Sequence, residues 1–276
     1  MADYKGIKGF KVQSLSADPA ASQMAGGAWA TGGDLNTGRD SLSSFGIQTA
    51  AIAASGYQTP TVKDETEEYD GTTWTEKNNV NTPRRLSDGA GTTTAGIIFG
   101  GLTGSPAPVA NTGATEIWNG TSWTTSPASL NTARRNAASA QQGTTTAALY
   151  FAGDFPPVAA LTESFDGSTW TEVGDVNTAR EKPAGSGTQA AALCFGGAPT
   201  SSTETWNGTS WTEVNDLNTA RDNLGGAGSS TAALGFGGTP NAVLTESWNG
   251  STWTEVGDLG TGRTGLGGAG TNALGL

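Results

Sequence analysis

The chain has 276 residues, 42 of them glycine, with a net charge of −11, one cysteine and no histidine. Without histidine there is no Ser-His-Asp or Cys-His pair, no HExxH helix and no imidazole zinc site, and Cys194 alone excludes an intrachain disulfide. The negative charge argues against nucleic acid or an anionic membrane surface as a partner, and no apolar run reaches the ~18 residues of a spanning helix.

Nine Trp and eight Phe, set at regular intervals in a Gly- and Thr-rich chain, predict an all-β fold of many short strands rather than disorder. The N-terminal stretch MADYKGIKGFKVQSLSADP (1–19) contains no apolar signal core, so Sec export is not indicated. Residues 1–9, MADYKGIKG, read as an N-terminal arm, either an attachment to a larger assembly or a disordered tail. FKVQSL (10–15) predicts a strand. Trp29 is then the first of six tryptophans in matching phrases, the others being Trp74, Trp123, Trp170, Trp211 and Trp253, 41 to 49 residues apart. That period fits a four-stranded propeller blade.

Each unit opens on NTxR or a close variant, which places Arg39, Arg84, Arg134, Arg180, Arg221 and Arg263 in equivalent positions. A small-residue run such as LGGAG (224–228) follows as the innermost strand, where crowding at an axis excludes bulky side chains. Next comes an apolar strand ending in glycines: GIIFGG (96–101), ALYFAG (148–153), ALCFGG (192–197) and ALGFGG (233–238). Cys194 stands where the last of these has Gly235, so it reads as a small buried residue. TESWN and TWTEV then form the outer two strands, joined by Asn-Gly or Asp-Gly, which predicts a tight hairpin with positive φ at both turn residues. The same turn accounts for the sequon matches at Asn119, Asn207 and Asn249.

Counting predicts six blades, at about 39–79, 84–126, 134–173, 180–214, 221–256, and 263–276 completed by 10–33. N-terminal strands pairing with C-terminal strands would close the ring of a single domain spanning 10–276.

The order FGG, aromatic, Trp, Arg, as in Phe236-Gly237-Gly238, Trp248, Trp253 and Arg263, resembles the kelch repeat over roughly residues 29–276. That resemblance implies a β-propeller and no particular activity. The near-identical LNTAR, AALxFGG and TExWNGxSW wording after the MADYK leader is similar to kelch-like virion proteins of bacteriophages, especially marine ones. It implies a capsid decoration protein or tail-fibre head, located on the virion after synthesis in the host cytoplasm, or otherwise extracellular. Its partners would be other virion proteins or a host-surface glycan or protein, with a possible oligomer inside a larger assembly.

Six equivalent arginines could ring a channel mouth, but a repeated carboxylate is also available as a partner, such as Glu116, Glu163, Glu204 or Glu246 of the TEx phrase. Structural pairing is the favoured reading. The repeated tryptophans could stack on sugars, yet a fixed position in every unit is what packing between blades demands. The non-repeated acids Asp64, Glu65, Asp88, Asp154 and Glu181 are scattered singly, which gives a carboxylate-based glycosidase no evident pair. No metal or cofactor is expected, and the chain reads as a non-enzymatic binding or structural module, with a lectin and a glycan-active enzyme as alternatives. Variation concentrates in the loops between the second and third strands. The candidate binding residues there are Tyr57, Lys63, Leu102, Pro106, Val109, Phe155, Pro156 and Pro157.

Overall fold

A computed structural model describes residues 29–105, 108–198, 200–271 and 274–275. Pro106, the arm 1–9 and the 10–15 strand lie outside the described residues. Within them the chain forms five four-stranded antiparallel blades, each in plain meander order. The first blade runs Ser43–Ile47, Ala50–Ala54, Thr66–Tyr69 and Trp74–Lys77. The second has Asp88–Thr92, Ala95–Phe99, Ala114–Trp118 and Trp123–Ser129, and the third has Ala138–Ser139, Ala148–Phe151, Thr162–Phe165 and Trp170–Glu172. The fourth has Ala184–Thr188, Ala191–Phe195, Thr203–Trp206 and Trp211–Val214, and the fifth has Gly225–Gly228, Ala233–Phe236, Thr245–Trp248 and Trp253–Glu255.

The structure therefore shows five blades where the sequence predicts six. The remaining sector is a two-stranded sheet, Gly270–Thr271 with Leu274–Gly275, because the segment expected to supply its third strand is outside the described residues and 29–33 pairs with no strand. This sector still holds a place in the ring. Gly270–Thr271 touches the first strands of both the first and the fifth blade.

The axis is fastened by backbone hydrogen bonds that run head to tail around it. Leu86 N donates to Ser41 O, Asn136 to Leu86, Lys182 to Asn136, Asn223 to Lys182, Gly265 to Asn223, and Ser41 back to Gly265, at 2.7–3.1 Å. All six residues take the left-handed conformation, φ 53–62°. Asn adopts this readily, whereas Leu86 and Lys182 adopt it only because the closed ring over-determines it. Beside the ring the first strands approach so closely that a Cβ on Gly268 would sit 2.1 Å from the Gly226 carbonyl oxygen.

Between blades, aromatics fill the wedge. In the third, fourth and fifth blades the tryptophan opening the fourth strand packs on a phenylalanine of the preceding blade: Trp170 on Phe99 at 4.9 Å, Trp211 on Phe151 at 4.8 Å, Trp253 on Phe195 at 4.8 Å. Its indole N–H donates to the third-strand threonine of that blade, as Trp170 does to Thr115 at 2.9 Å and Trp253 to Thr203 at 3.0 Å. Trp29 repeats both contacts, with Phe236 at 5.0 Å and Thr245 at 3.1 Å. The first blade is an exception. Its second strand ends in Ala54, and Phe45 from the first strand supplies the ring against Trp123.

The outer hairpins differ from the expected two-residue turn. Trp118 pairs with Trp123, so four residues, Asn-Gly-Thr-Ser, form the loop. Asn119 Oδ1 accepts the N–H groups of Thr121 and Ser122, each at 2.9 Å, and positive φ falls on Gly120 alone. Asx capping replaces the second left-handed residue. Asp70 and Asp166 do the same work, and those hydrogen bonds hold both carboxyls below the usual range, with the Thr73 N–H foremost for Asp70 and the Ser168 N–H for Asp166.

Five arginines are buried and paired within their own blades: Arg39 with Glu67 (2.5 Å), Arg84 with Glu116 (2.6 Å), Arg134 with Glu163, Arg180 with Glu204 (2.6 Å) and Arg221 with Glu246 (3.1 Å). Glu67 belongs to the same set although the doubled TEEY wording hides it. Each carboxylate also accepts the backbone N–H of the Asn in NTxR, at 2.6–2.8 Å. Burial lowers the Arg84 and Arg221 guanidinium pKa values, and their glutamates oppose that shift. Removing one partner strands the other charge in the core, so Glu246→Ala is expected to cost about 3–5 kcal/mol. Chemical denaturation of the parent and variant measures this loss. An unchanged midpoint would show that the pair is dispensable.

Candidate functional site

The arginine turn and the connection between second and third strands meet on one face. Each residue just after the repeated arginine bridges to the first residue after the paired small residues: Asp40 to Tyr57, Arg85 to Leu102, Arg135 to Asp154, Glu181 to Ala198 and Asp222 to Thr239. The scaffold thus sets two variable positions per blade side by side around the axial mouth. Their side chains do not repeat, whereas the arginines beneath them do.

The Arg85 guanidinium lies over the Tyr57 ring, 4.3 Å from its centre. Arg135 Nε lies 3.0 Å from Asp154 Oδ1, and Arg135 Nη1 donates to Asn111 Oδ1 at 3.3 Å, which ties the second blade's loop to the third. Asn136 Nδ2 reaches both Asp154 Oδ2 and Glu181 Oε2, each at 3.4 Å. Glu181 in turn meets Lys182 at 3.2 Å. Asp154 and Glu181, scattered in the sequence, are therefore brought to one amide. Each also has its own cation.

The eight candidate binding residues divide. Tyr57 is half-buried beneath Arg85, and Lys63 is paired with Glu65 at 3.5 Å. Leu102 is a correction. It is buried, 5% exposed, because its backbone is clamped to Arg85 on the inner side of the loop. Val109, Phe155, Pro156 and Pro157 are exposed, and Val158, absent from the sequence-based set, extends the apolar tip of the third blade. Sequence reading also missed Arg85, Arg135 and Asn136, and it named Glu181 only as an isolated acid. The signal was variability in the first two positions after the repeated arginine.

Below the mouth, an axial cavity of about 100 Å³ is lined by Ser44, Asp88, Gln141, Lys182, Gly226 and Gly268, among others. Asp88 accepts the N–H of Gly89 and that of Ser139, both at 2.8 Å. Desolvation outweighs those bonds and pushes its carboxyl up to about 6. Cys194 is fully buried, and its thiol is pushed up to about 11 by the same cause. No nucleophile is activated there. Among the described residues no group of three or more His, Cys, Asp or Glu side chains could hold a metal ion, and no helix is long and apolar enough to cross a membrane.

Five four-stranded blades around an axis define this chain as a β-propeller repeat protein. No family model and no curated protein matches it. Among solved structures it is similar to that of YjhT, with a TM-score of 0.71, 11% identity, and coverage of 87% of this chain and 90% of that one. At that identity the likeness shows the fold alone.

The Asp88 carboxyl binds its proton more tightly in the native state than in the unfolded chain, where its ordinary value of 3.8 applies. Its contribution to stability is thus present below about pH 4 and lost as pH rises toward 6. Asp88→Asn removes that dependence. Relative to the parent, the variant is expected to gain about 1–3 kcal/mol between pH 4 and pH 7, read as the difference between their denaturation midpoints. A parent–variant difference that stays flat over that range contradicts the assignment.

Proposed function

We propose that the chain is a non-enzymatic binding scaffold that presents one non-repeating face on a rigid propeller. The observation that carries this reading is the contrast within each blade. The repeated charges and aromatics of the complete blades are buried and paired, while the variable residues Tyr57, Arg85, Asn111, Arg135 and Glu181 lie on the loop face, with Phe155 exposed at a loop tip beside them. Propellers are a common scaffold for binding or structural roles, and loops held on a rigid frame are the usual carriers of recognition.

The particular role we propose is that of a bacteriophage virion protein, a capsid decoration or tail-fibre head that meets other virion proteins or a host-surface glycan or protein. Its support is the kelch-like repeat wording and leader described above. In the same reading the two-stranded sector is a sixth blade, completed by residues 10–33. Mass spectrometry of purified particles is expected to detect the chain at stoichiometric copy number. Its absence from particles would end the virion reading while leaving the scaffold reading intact.

A lectin is the second reading, favoured by the mixed donors and acceptors of the Arg135, Asp154, Asn136 and Glu181 cluster next to the exposed Phe155. A glycan-active enzyme would have to use the Asp154 and Glu181 carboxylates, each of which is already engaged by a neighbouring cation, Arg135 and Lys182. On a glycan or host-cell array, Phe155→Ser and Arg85→Ala are expected to weaken binding by about tenfold each with unchanged melting temperature. Retained binding in both variants would remove this face from consideration.

A further inference from the structure

Every described lysine and arginine forms an ion pair with a described carboxylate except Arg85 and Arg263. Arg263 is exposed and belongs to the incomplete sector. Arg85 stands instead between the first and second blades, both complete. Two hairpins flank it, Tyr57–Gln58 with Thr61–Val62 and Leu102–Thr103 with Ala110–Asn111. The only residues of these hairpins outside the described ones, Pro106 and Ala107, carry no charged side chain. On the same face Arg135, Lys182 and Lys63 are each engaged by a carboxylate, at 3.0, 3.2 and 3.5 Å.

The seat of Arg85 is fixed from several sides. Its N–H donates to Leu102 O at 3.0 Å and its carbonyl accepts from Leu102 N at 2.8 Å. One residue earlier, the Arg84 carbonyl accepts from Gly56 N at 2.8 Å and from Ser55 Oγ at 2.6 Å. Tyr57 is held by reciprocal backbone bonds to Asp40, at 2.8 and 3.0 Å, and Ser105 Oγ donates to Pro60 O at 2.7 Å, which joins the two hairpins. On this frame the guanidinium lies over the Tyr57 ring, 4.3 Å from its centre. A ring face attracts a cation without offering it a hydrogen-bond acceptor in the plane of its fork. No side-chain N–H of Arg85 has a hydrogen-bond partner among the described residues, and its Nε is buried in that state, which is costly for a charged donor. Asp40, whose backbone bonds Tyr57, makes no ion pair with it.

We propose that Arg85 is the seat of a carboxylate carried by an acidic saccharide. This rests on the reading of the loop face as a binding surface and names the chemistry that the face selects. A guanidinium fork matches the two coplanar oxygens of a carboxylate, and Arg85 is the one cation between complete blades without a carboxylate of its own. Beside it the Tyr57 hydroxyl and the exposed Gln58 amide make no hydrogen bond among the described residues. A ligand rich in hydroxyls therefore finds donors and acceptors next to the charge. A peptide strand finds little backbone to extend, since the flanking strands Tyr57–Gln58 and Leu102–Thr103 are two residues long.

The test uses the full chain with trigalacturonic acid, and its methyl ester as the probe that keeps the ring hydroxyls and loses the charge. Calorimetry is expected to show the acid binding at least about tenfold more tightly than the ester. Arg85→Gln is expected to erase that preference with the melting temperature unchanged. Arg85→Lys, which keeps the charge and loses the fork, is expected to retain only part of it. Equal binding of acid and ester overturns the proposal, and loss of that binding in Phe155→Ser would leave the loop face standing as a binding surface. An Arg85-dependent preference for a sulfated galactan fragment or a glutamate-rich peptide over trigalacturonic acid assigns the seat to that class and overturns the proposal as well. So does a failure of trigalacturonic acid to bind.

Discussion

The carboxylate held by each arginine turn is the interaction on which the rest of the propeller depends. A buried ion pair adds little net stability by itself, since desolvation offsets much of the attraction. Here the glutamate on the third strand also takes the N–H of the Asn in the preceding turn, and the arginine reaches carbonyls on the second strand or its end, as Arg134 does to Tyr150 and Ala152. One polar cluster therefore ties the turn, the second strand and the third strand of a single blade. Breaking it would leave several buried polar groups unpaired at once, which makes register specific.

That local closure is what lets neighbouring blades meet through apolar contacts and threonine hydroxyls. The fourth-strand tryptophan has one face on its own blade's third-strand aromatic and an edge on the preceding blade. Its indole N–H is satisfied by Thr115 or an equivalent threonine. At the axis the blades share a cyclic run of backbone hydrogen bonds through six left-handed residues. The side chains at those positions, and at the positions before them, are released from any packing duty. Asp40, Arg85, Arg135, Glu181 and Asp222 can therefore differ from blade to blade, and the mouth carries chemistry because the frame beneath it carries the load.

Much of the frame was legible in the residues. Period, strand order, the axial glycines and the partnering of Arg84 with Glu116 follow from spacing, because a repeat must satisfy the same groups in every copy. Glu67 was obscured by a second glutamate at 68, and the register of TEEYDGTTW against its sister phrases resolves it. The hairpin type was misread because Asn-Gly was taken without counting the pairing of Trp118 with Trp123. Leu102 looked like a loop-tip residue, yet its backbone bonds to Arg85 turn it inward.

The sequence by itself determined a propeller of four-stranded blades, the residues that repeat to build it and the loops that do not. It could do so because burial and hydrogen-bond satisfaction act locally and identically in each unit. Only the tertiary structure decided which non-repeating residues become neighbours. Asp154 and Glu181 share Asn136 because three chain segments, 18 to 45 residues apart, converge where the blades meet the axis. It also decided that five blades are complete among the described residues, since closing a ring is a property of the whole circle and of no single repeat.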